Sequence, residues 1–296
     1  MSKINMTIFF KKCYFARFLM VLTPKKMAND FISHKKCLTL CIRQLIIGNS
    51  DNTLFTITTT IITMPSHILY KEDVARDIAG HWNSNDDVEI KTIAENMSIR
   101  RFKKNELIYH EKQMPSRMLY LVSGKVKVVK EGSVGRTPIV NTIKDKHFFG
   151  FRAFFAKECY STSAMAFEDA TVASVPIEIA MQLISQNNNI INYFARELAL
   201  LLGSSGERIV SLTQKHIRGR LADTILILKD NYGTLSDDKT INISMSRDDL
   251  ASMSNMSTSN AIRTLSAFAQ EKLVEIVGKR IKVLDEEKLE LISKRG

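Results

Sequence analysis

The chain has 296 residues, 45% of them hydrophobic and 25% charged, with a net charge of +11. That length can bury a sizeable core in one large or two modest domains, and the composition excludes a disordered or membrane-embedded chain. The basic balance permits a polyanionic partner without specifying one.

The charge is unevenly spread. Residues 1–63 hold nine Lys or Arg against two Asp and no Glu, a net of +7, which leaves +4 for the remainder. This segment has no sustained helical stripe and ends in a Thr/Ile tract. Lys11, Lys12 and Arg17 interrupt its first apolar run, which falls short of the ~20 residues a membrane span needs. No secretory cleavage pattern is present. Two readings stand: an over-extended gene model with translation starting at Met64, or a basic arm against DNA phosphates. Cys13, Cys37 and Cys41 lie here and Cys159 stands alone, without a second pair at metal-ligand spacing. Free thiols in a reducing cytoplasm and no metal centre are expected.

From Met64 the texture is globular, and residues 64–187 form the first predicted domain. Between Ile108 and Val175 short β-type runs alternate with turn residues. They are Leu119–Val122, Lys125–Val129, Ile139–Ile143, Phe148–Phe149, Ser161–Ala166 and Ala170–Val175. Many short strands with glycine-containing turns predict a sandwich or jelly-roll barrel. Pro176 and Ile177–Ser185 make a short helical lead-in.

A long helix follows over 188–213. Ile191, Phe194, Leu198, Leu201, Ser205, Arg208 and Leu212 fall on alternating steps of three and four, the seam of a coiled-coil dimer. The same stripe equally suits a helix that covers the barrel's own core. Gly203, Ser204, Ser205 and Gly206 weaken helix propensity but allow close backbone approach.

Residues 214–296 form the last predicted domain. A helix over Ile217–Lys229 leads through Asn231-Tyr232-Gly233 to a compact module. Ser246 with Asp249 has the form of a capping box, so a short helix starts at Arg247. Ser254-Asn255-Met256 is a turn, with Asn255 tolerant of left-handed backbone. Ser257 caps a second helix to about Gln270, with Ala261, Leu265 and Phe268 as its buried stripe. The opposite face carries Thr258, Ser259, Asn260, Ile262, Arg263 and Ser266, short polar side chains around a single cation. Leu273–Val277 and Ile281–Leu284 flank a hairpin tipped by Lys279 and Arg280. Helix, turn, helix, basic hairpin is a winged helix-turn-helix, and it predicts binding of double-stranded DNA. No nucleophile–base set or phosphate loop is present, so no catalytic residues are assigned and an enzyme is not expected.

The order β-barrel, long helix, winged helix-turn-helix resembles the Crp/Fnr family of bacterial transcription regulators over about residues 70–292. The residues carrying the resemblance are Leu119–Val126, His147–Phe155 and the 246–284 module. It implies an α+β protein with a cyclic-nucleotide-binding-like jelly-roll barrel and a C-terminal winged helix-turn-helix. It also implies a homodimer in the cytoplasm that places one recognition helix per half-site of a two-fold-symmetric promoter site and works with RNA polymerase. On the DNA side it implies contacts from Ser257, Thr258, Ser259, Asn260, Arg263, Lys279 and Arg280. Arg263 matches the shared Arg that pairs with guanine, and Ser259 replaces a Glu that accepts from cytosine. In cyclic-AMP-binding relatives a Glu and an Arg-Ser pair hold the nucleotide. Here Phe151, between Gly150 and Arg152, stands at the Glu position and the Arg-Ser pair reads Tyr160-Ser161. The missing phosphate cation argues against cyclic AMP bound in the usual way. Arg152 sits next door and could supply a cation, though its side chain should point to the opposite face if the strand is regular. No cofactor is assigned beyond an unknown small effector. The alternative is a sensor of cyclic nucleotide, haem or another small ligand whose output is not DNA; His110 or His147 would serve as haem ligand.

Overall fold

The computed structural model describes residues 71–132 and 137–296, and before them the backbones of 39–42 and 60–63. The chain divides into two units, Met1–Leu69 and Tyr70–Gly296. In the first, β1 (Thr39–Ile42) pairs antiparallel with β2 (Thr60–Thr63), Thr39 opposite Thr63. The two readings of residues 1–63 otherwise lie outside the described residues.

The second unit opens with two helices absent from the sequence reading. α1 (Lys71–Gly80) buries Val74, Ala75, Ile78 and Ala79. α2 (Asp87–Asn96) is capped by Asp86, whose carboxylate accepts from Val88 N at 2.9 Å, and buries Ile90, Ile93 and Ala94. Trp82, between them, donates its indole N–H to the buried carboxylate of Glu89, which also takes Asn187 of the later helical segment.

The barrel consists of two four-stranded antiparallel sheets. One, in the order β3-β10-β5-β8, comprises β3 (Ser98–Phe102), β5 (Arg117–Ser123), β8 (His147–Phe149) and β10 (Ala170–Pro176). The other, β4-β9-β6-β7, comprises β4 (Leu107–Tyr109), β6 (Val126–Val129), β7 (Ile139–Ile143) and β9 (Ser163–Ala166). The first strand therefore starts at Ser98, ten residues before Ile108, because β3 reads S-I-R-R-F and its two arginines hide the alternation. Gly124 turns β5 into β6 at φ 94°, and a Cβ there would collide with the Asp169 carbonyl oxygen and stand 2.7 Å from Ala170 Cα. Only glycine fits both constraints.

After β8 the chain enters α3 (Phe151–Ala156), a helix where a regular strand was expected. The lead-in is α4 (Ile177–Gln186), and α5 (Asn188–Gln214) follows, capped by Asn187. α5 runs through Gly203–Gly206 unbroken.

Part of the expected dimer seam is taken up by the protomer itself. Phe194 is 2% exposed inside the protomer's own core, and Leu198 and Leu201 pack on the same cluster. Phe194 rings meet Phe148 at 5.1 Å and Phe151 at 5.3 Å. Ile191, Ser205 and Leu212 lie outside that core. The next register, Ala195, Ala199, Leu202, Gly206, Ile209 and Thr213, faces out, with Leu202 76% and Ile209 62% exposed. Apolar spacing marks a stripe to bury, and here the protomer itself takes the upper half of it.

α6 (Ile217–Tyr232) joins α5 to the C-terminal module, ending three residues beyond the expected Lys229. The module comprises α7 (Arg247–Met253), α8 (Thr258–Gln270), β11 (Val274–Val277), β12 (Arg280–Val283) and α9 (Glu286–Arg295). Its core joins Leu221, Ile225, Leu228, Leu250, Leu265 and Phe268 to the barrel residues Val129, Ile139 and Phe167. The expected boundary at residue 214 is thus bridged by a shared apolar cluster.

Polar contacts reinforce that joint. Lys127 of β6 is 8% exposed, and its ammonium lies 2.8 Å from the Asp249 carboxylate in α7. Burial opposes the charge on Asp249, but Lys127 and the Ser246 hydroxyl together hold its carboxyl below the usual range. Glu168 accepts from both Lys125 at 2.6 Å and Ser244 N at 2.8 Å. Arg208 of α5 spans the joint, donating to the carbonyls of Ile139 and Met253 at 2.8 and 3.0 Å.

Candidate nucleic-acid interface and barrel pocket

α7 and α8 form as their sequence dictates. Ser246 Oγ accepts from Asp249 N at 3.0 Å, and Asp249 Oδ2 accepts in return from Ser246 N at 3.3 Å. Asn255 turns the chain at φ 49°. Ser257 Oγ then accepts from Asn260 N at 3.2 Å and caps α8. Ala261, Leu265 and Phe268 are at most 1% exposed, so the opposite face is turned outward. Arg218 braces the far end from α6, with two bonds of 2.8 Å to Glu271 and its guanidinium 4.9 Å over the Phe268 ring.

The expected contact residues separate into two groups. Ser257, Ser259 and Arg263 are exposed. Thr258 instead donates to Asp248 Oδ1 at 2.7 Å, which pins α8 to α7. Asn260 is half-buried, and its Oδ1 accepts from Arg263 Nη2 at 2.5 Å, so it holds the guanidinium. The hairpin turns at Gly278 (φ 59°) and leaves Lys279 and Arg280 exposed, with Arg280 paired opposite Val277. Arg247 donates to the Gly278 carbonyl at 3.2 Å and Met245 N to that of Lys279 at 3.1 Å, tying the wing to the start of α7. The sequence does not single out Arg247, because an N-terminal helical Arg carries no signal of a partner thirty residues away. Helix, turn, helix and wing are therefore tied together, with Arg263, Lys279 and Arg280 exposed on them.

The effector-pocket candidates divide as well. Gly150, at φ 75°, caps α3, and a Cβ on it would meet the Tyr160 and Tyr109 rings at 3.2 and 3.3 Å. Those two rings stack at 3.8 Å between centroids and 16° between planes, each 6% exposed. Burial pushes the Tyr109 hydroxyl up to about 12 and raises that of Tyr160 too, so both stay neutral. Phe151 turns away into the cluster around Phe194. Arg152, on a helix, does not point to an opposite strand face. Its guanidinium donates to Ser161 Oγ at 3.0 Å and to Glu158 at 2.7 Å, and its charge reaches the Tyr109 hydroxyl. Lys130 adds a second cation, bonded to the Ser161 carbonyl at 2.7 Å and to Glu111 at 3.0 Å. Each cation at this position already holds a carboxylate of the chain.

The haem-ligand candidates sit apart. His110 is exposed beside Glu131, and His147 packs near His81 with ring centroids 6.3 Å apart. Among the described residues no cluster of His, Cys, Asp and Glu has the form of a metal site. None of the described helices is long and apolar enough to cross a membrane. An open depression of about 550 Å³ on α1, lined by Asp73, Arg76, Asp77, Gly80, His81 and Lys146, includes none of the expected pocket residues.

Comparison with known proteins agrees with this architecture. Residues 99–187 match the cyclic nucleotide-binding domain model, and residues 219–292 match the Crp-like helix-turn-helix domain model. The chain is 23% identical to a cAMP-activated global transcriptional regulator CRP of Pasteurella multocida, over 62% of this chain and 89% of that one. It is 24% identical to a global nitrogen regulator of Synechococcus elongatus, over 64% and 86%. Its fold matches that of FixK2 from Bradyrhizobium japonicum with a TM-score of 0.61 at 19% identity, over 66% of this chain and 96% of that one. A CRP/FNR-family transcriptional regulator from Thermus thermophilus matches at 0.56 and 19%, over 67% and 100%. A sensor with an output other than DNA is not favoured, since the second matched domain is itself a helix-turn-helix. With both domains matched in this order, and with relatives that are regulators and not enzymes, the chain belongs to the Crp/Fnr family of DNA-binding transcription regulators.

Proposed function

We propose that the protein acts in the cytoplasm as a homodimer on a two-fold-symmetric promoter site, with one α8 in the major groove of each half-site, and works there with RNA polymerase. The observation that carries the dimer is the outward seam of α5. Leu202 and Ile209 are 76% and 62% exposed there, interleaved with Ala199 and Gly206, whose small size admits a second helix closely. Val210, 47% exposed, borders the stripe. A contiguous apolar stripe of this kind on one face of a helix is the mark of an interface. In each half-site Arg263 pairs with guanine, Ser259 bonds a neighbouring base, and Lys279, Arg280 and Ser257 contact phosphates.

The effector is not cyclic AMP held as the relatives' names imply for them. Support comes from the barrel: Tyr109 and Tyr160 fill the space next to Gly150, and Arg152 is already paired with Glu158. A buried phosphate needs a paired cation, and the cations beside Ser161, Arg152 and Lys130, are each paired with a carboxylate of the chain. Thermal unfolding with millimolar cyclic AMP tests this. A ligand at a hundred times its Kd adds about 2.7 kcal/mol, a rise of several degrees. An unchanged midpoint is expected, and a rise of several degrees overturns this part of the reading. Mobility shifts on the protein's own upstream region test DNA binding directly, with a retarded band expected in the absence of cyclic AMP.

A further inference from the structure

The outward face of α8 holds one apolar side chain whose exposure the fold does not explain. Ile262 is 46% exposed, while the stripe that packs α8 against the module runs through Ala261, Leu265 and Phe268. Ile262 lies off that stripe. It shares the outward face with Ser259 three residues before and Ser266 four after, and it sits next to Arg263. This half of the helix, nearest the Ser257 cap, is the part that meets base edges in a helix-turn-helix.

The chemistry of the groove identifies what an isoleucine can read there. Base edges in the major groove present donors, acceptors and one apolar group, the C5 methyl of thymine. Isoleucine has no donor or acceptor, so its attractive contact is that methyl, and facing any other edge it leaves a polar group without water. Consecutive helical residues point about 100° apart, so Ile262 and Arg263 meet neighbouring base pairs. Arg263 arrives oriented, because Asn260 Oδ1 accepts from its Nη2 at 2.5 Å.

We infer that Ile262 is a specificity-determining residue that reads a thymine methyl beside the guanine read by Arg263, with Asn260 as the residue that positions Arg263. This rests on α8 being the recognition helix of the proposed DNA complex. It makes a thymine–guanine neighbour pair the centre of each half-site and separates Asn260 from the base-reading set.

The test uses the full-length protein and duplexes enriched from a random pool. In the best duplex each thymine is replaced in turn by deoxyuridine, which removes the C5 methyl and nothing else. One buried methyl corresponds to about fourfold in affinity, the factor equivalent to ~0.8 kcal/mol. On a duplex with two half-sites the effect is squared, to about fifteenfold. The expected result is one sensitive thymine per half-site, adjacent to the guanine at which Arg263→Ala loses discrimination. Ile262→Ala should bind the thymine and deoxyuridine duplexes alike, with an unchanged melting temperature because the side chain is exposed. Asn260→Ala should keep the methyl sensitivity while weakening the guanine preference. Equal wild-type affinity for the two duplexes overturns the inference, as does methyl sensitivity that persists in Ile262→Ala. If Arg263→Ala shows the same base preferences as wild type, the recognition-helix reading fails and the inference with it, a pattern distinct from loss of the methyl effect alone.

Discussion

Replacing Lys127 by methionine removes the ammonium from the joint between barrel and DNA reader while keeping most of the side chain's length. In the wild type this ammonium stands 2.8 Å from Asp249, with 11% and 14% of the two side chains exposed. Solvent screening is weak at such a site, and a carboxylate left alone there costs about 3–5 kcal/mol. For a unit of this size that lowers the unfolding temperature by roughly 6–20 °C. The double variant Lys127→Met/Asp249→Asn should recover most of the loss, because no uncompensated charge remains. The sign with pH follows from Asp249, whose folded carboxyl titrates below its ordinary 3.8. A depressed acid contributes stability that is complete above the unfolded value and lost as pH falls through the folded one. The gap between wild type and Lys127→Met is therefore widest at high pH and narrows as pH falls, first as the stranded carboxylate, raised by burial without its cation, takes a proton, and finally as the wild-type carboxyl is protonated below its ordinary 3.8. Chemical denaturation of the wild type, both single variants and the double variant at pH 7 and pH 4 supplies the cycle. A single-variant loss under about 1 kcal/mol at pH 7, or losses that simply add in the double, would refute the reasoning.

Other expectations follow from the same geometry. Arg263→Ala should cost ~1–3 kcal/mol on the preferred duplex and little on random DNA, whereas Lys279→Ala should weaken both alike and lower the salt slope by about one, both read by titration at several salt concentrations. Leu202→Glu should shift the protein to monomer in sedimentation velocity without lowering its helix content, since the side chain is 76% exposed in the protomer. Phe194→Glu should instead unfold the protomer, because that ring is 2% exposed. Gly124→Ala should destabilise by more than ~2 kcal/mol in chemical denaturation, its Cβ colliding with the Asp169 carbonyl on a backbone of φ 94°.

Much of the reader was legible because its signals are local. The Ser246–Asp249 box, the Asn255 turn and the Ser257 cap each involve residues within three positions of one another, and all three formed as expected. The central strands were legible from alternation. What stayed hidden depends on distant partners or on short pieces. Phe151–Ala156 is six residues, too few to show a period, so the helix that turns Arg152 toward Ser161 could not be told from a strand. The α5 stripe was visible, but periodicity does not say whether the protomer or a second chain covers it; Phe194 went inward, while Leu202 and Ile209 stayed exposed. The Lys127–Asp249 pair, 122 residues apart, leaves no trace in either local pattern.

The central claim is a pair of recognition helices acting on a symmetric site, and the sequence enriched from a random duplex pool tests it most directly. An inverted repeat is predicted, with half-site centres one helical turn, about 10 base pairs, apart or a multiple of it, bound by two chains per duplex. An enriched site with no two-fold symmetry, occupied by a single chain, or a pool that yields no enriched sequence at all, would contradict it.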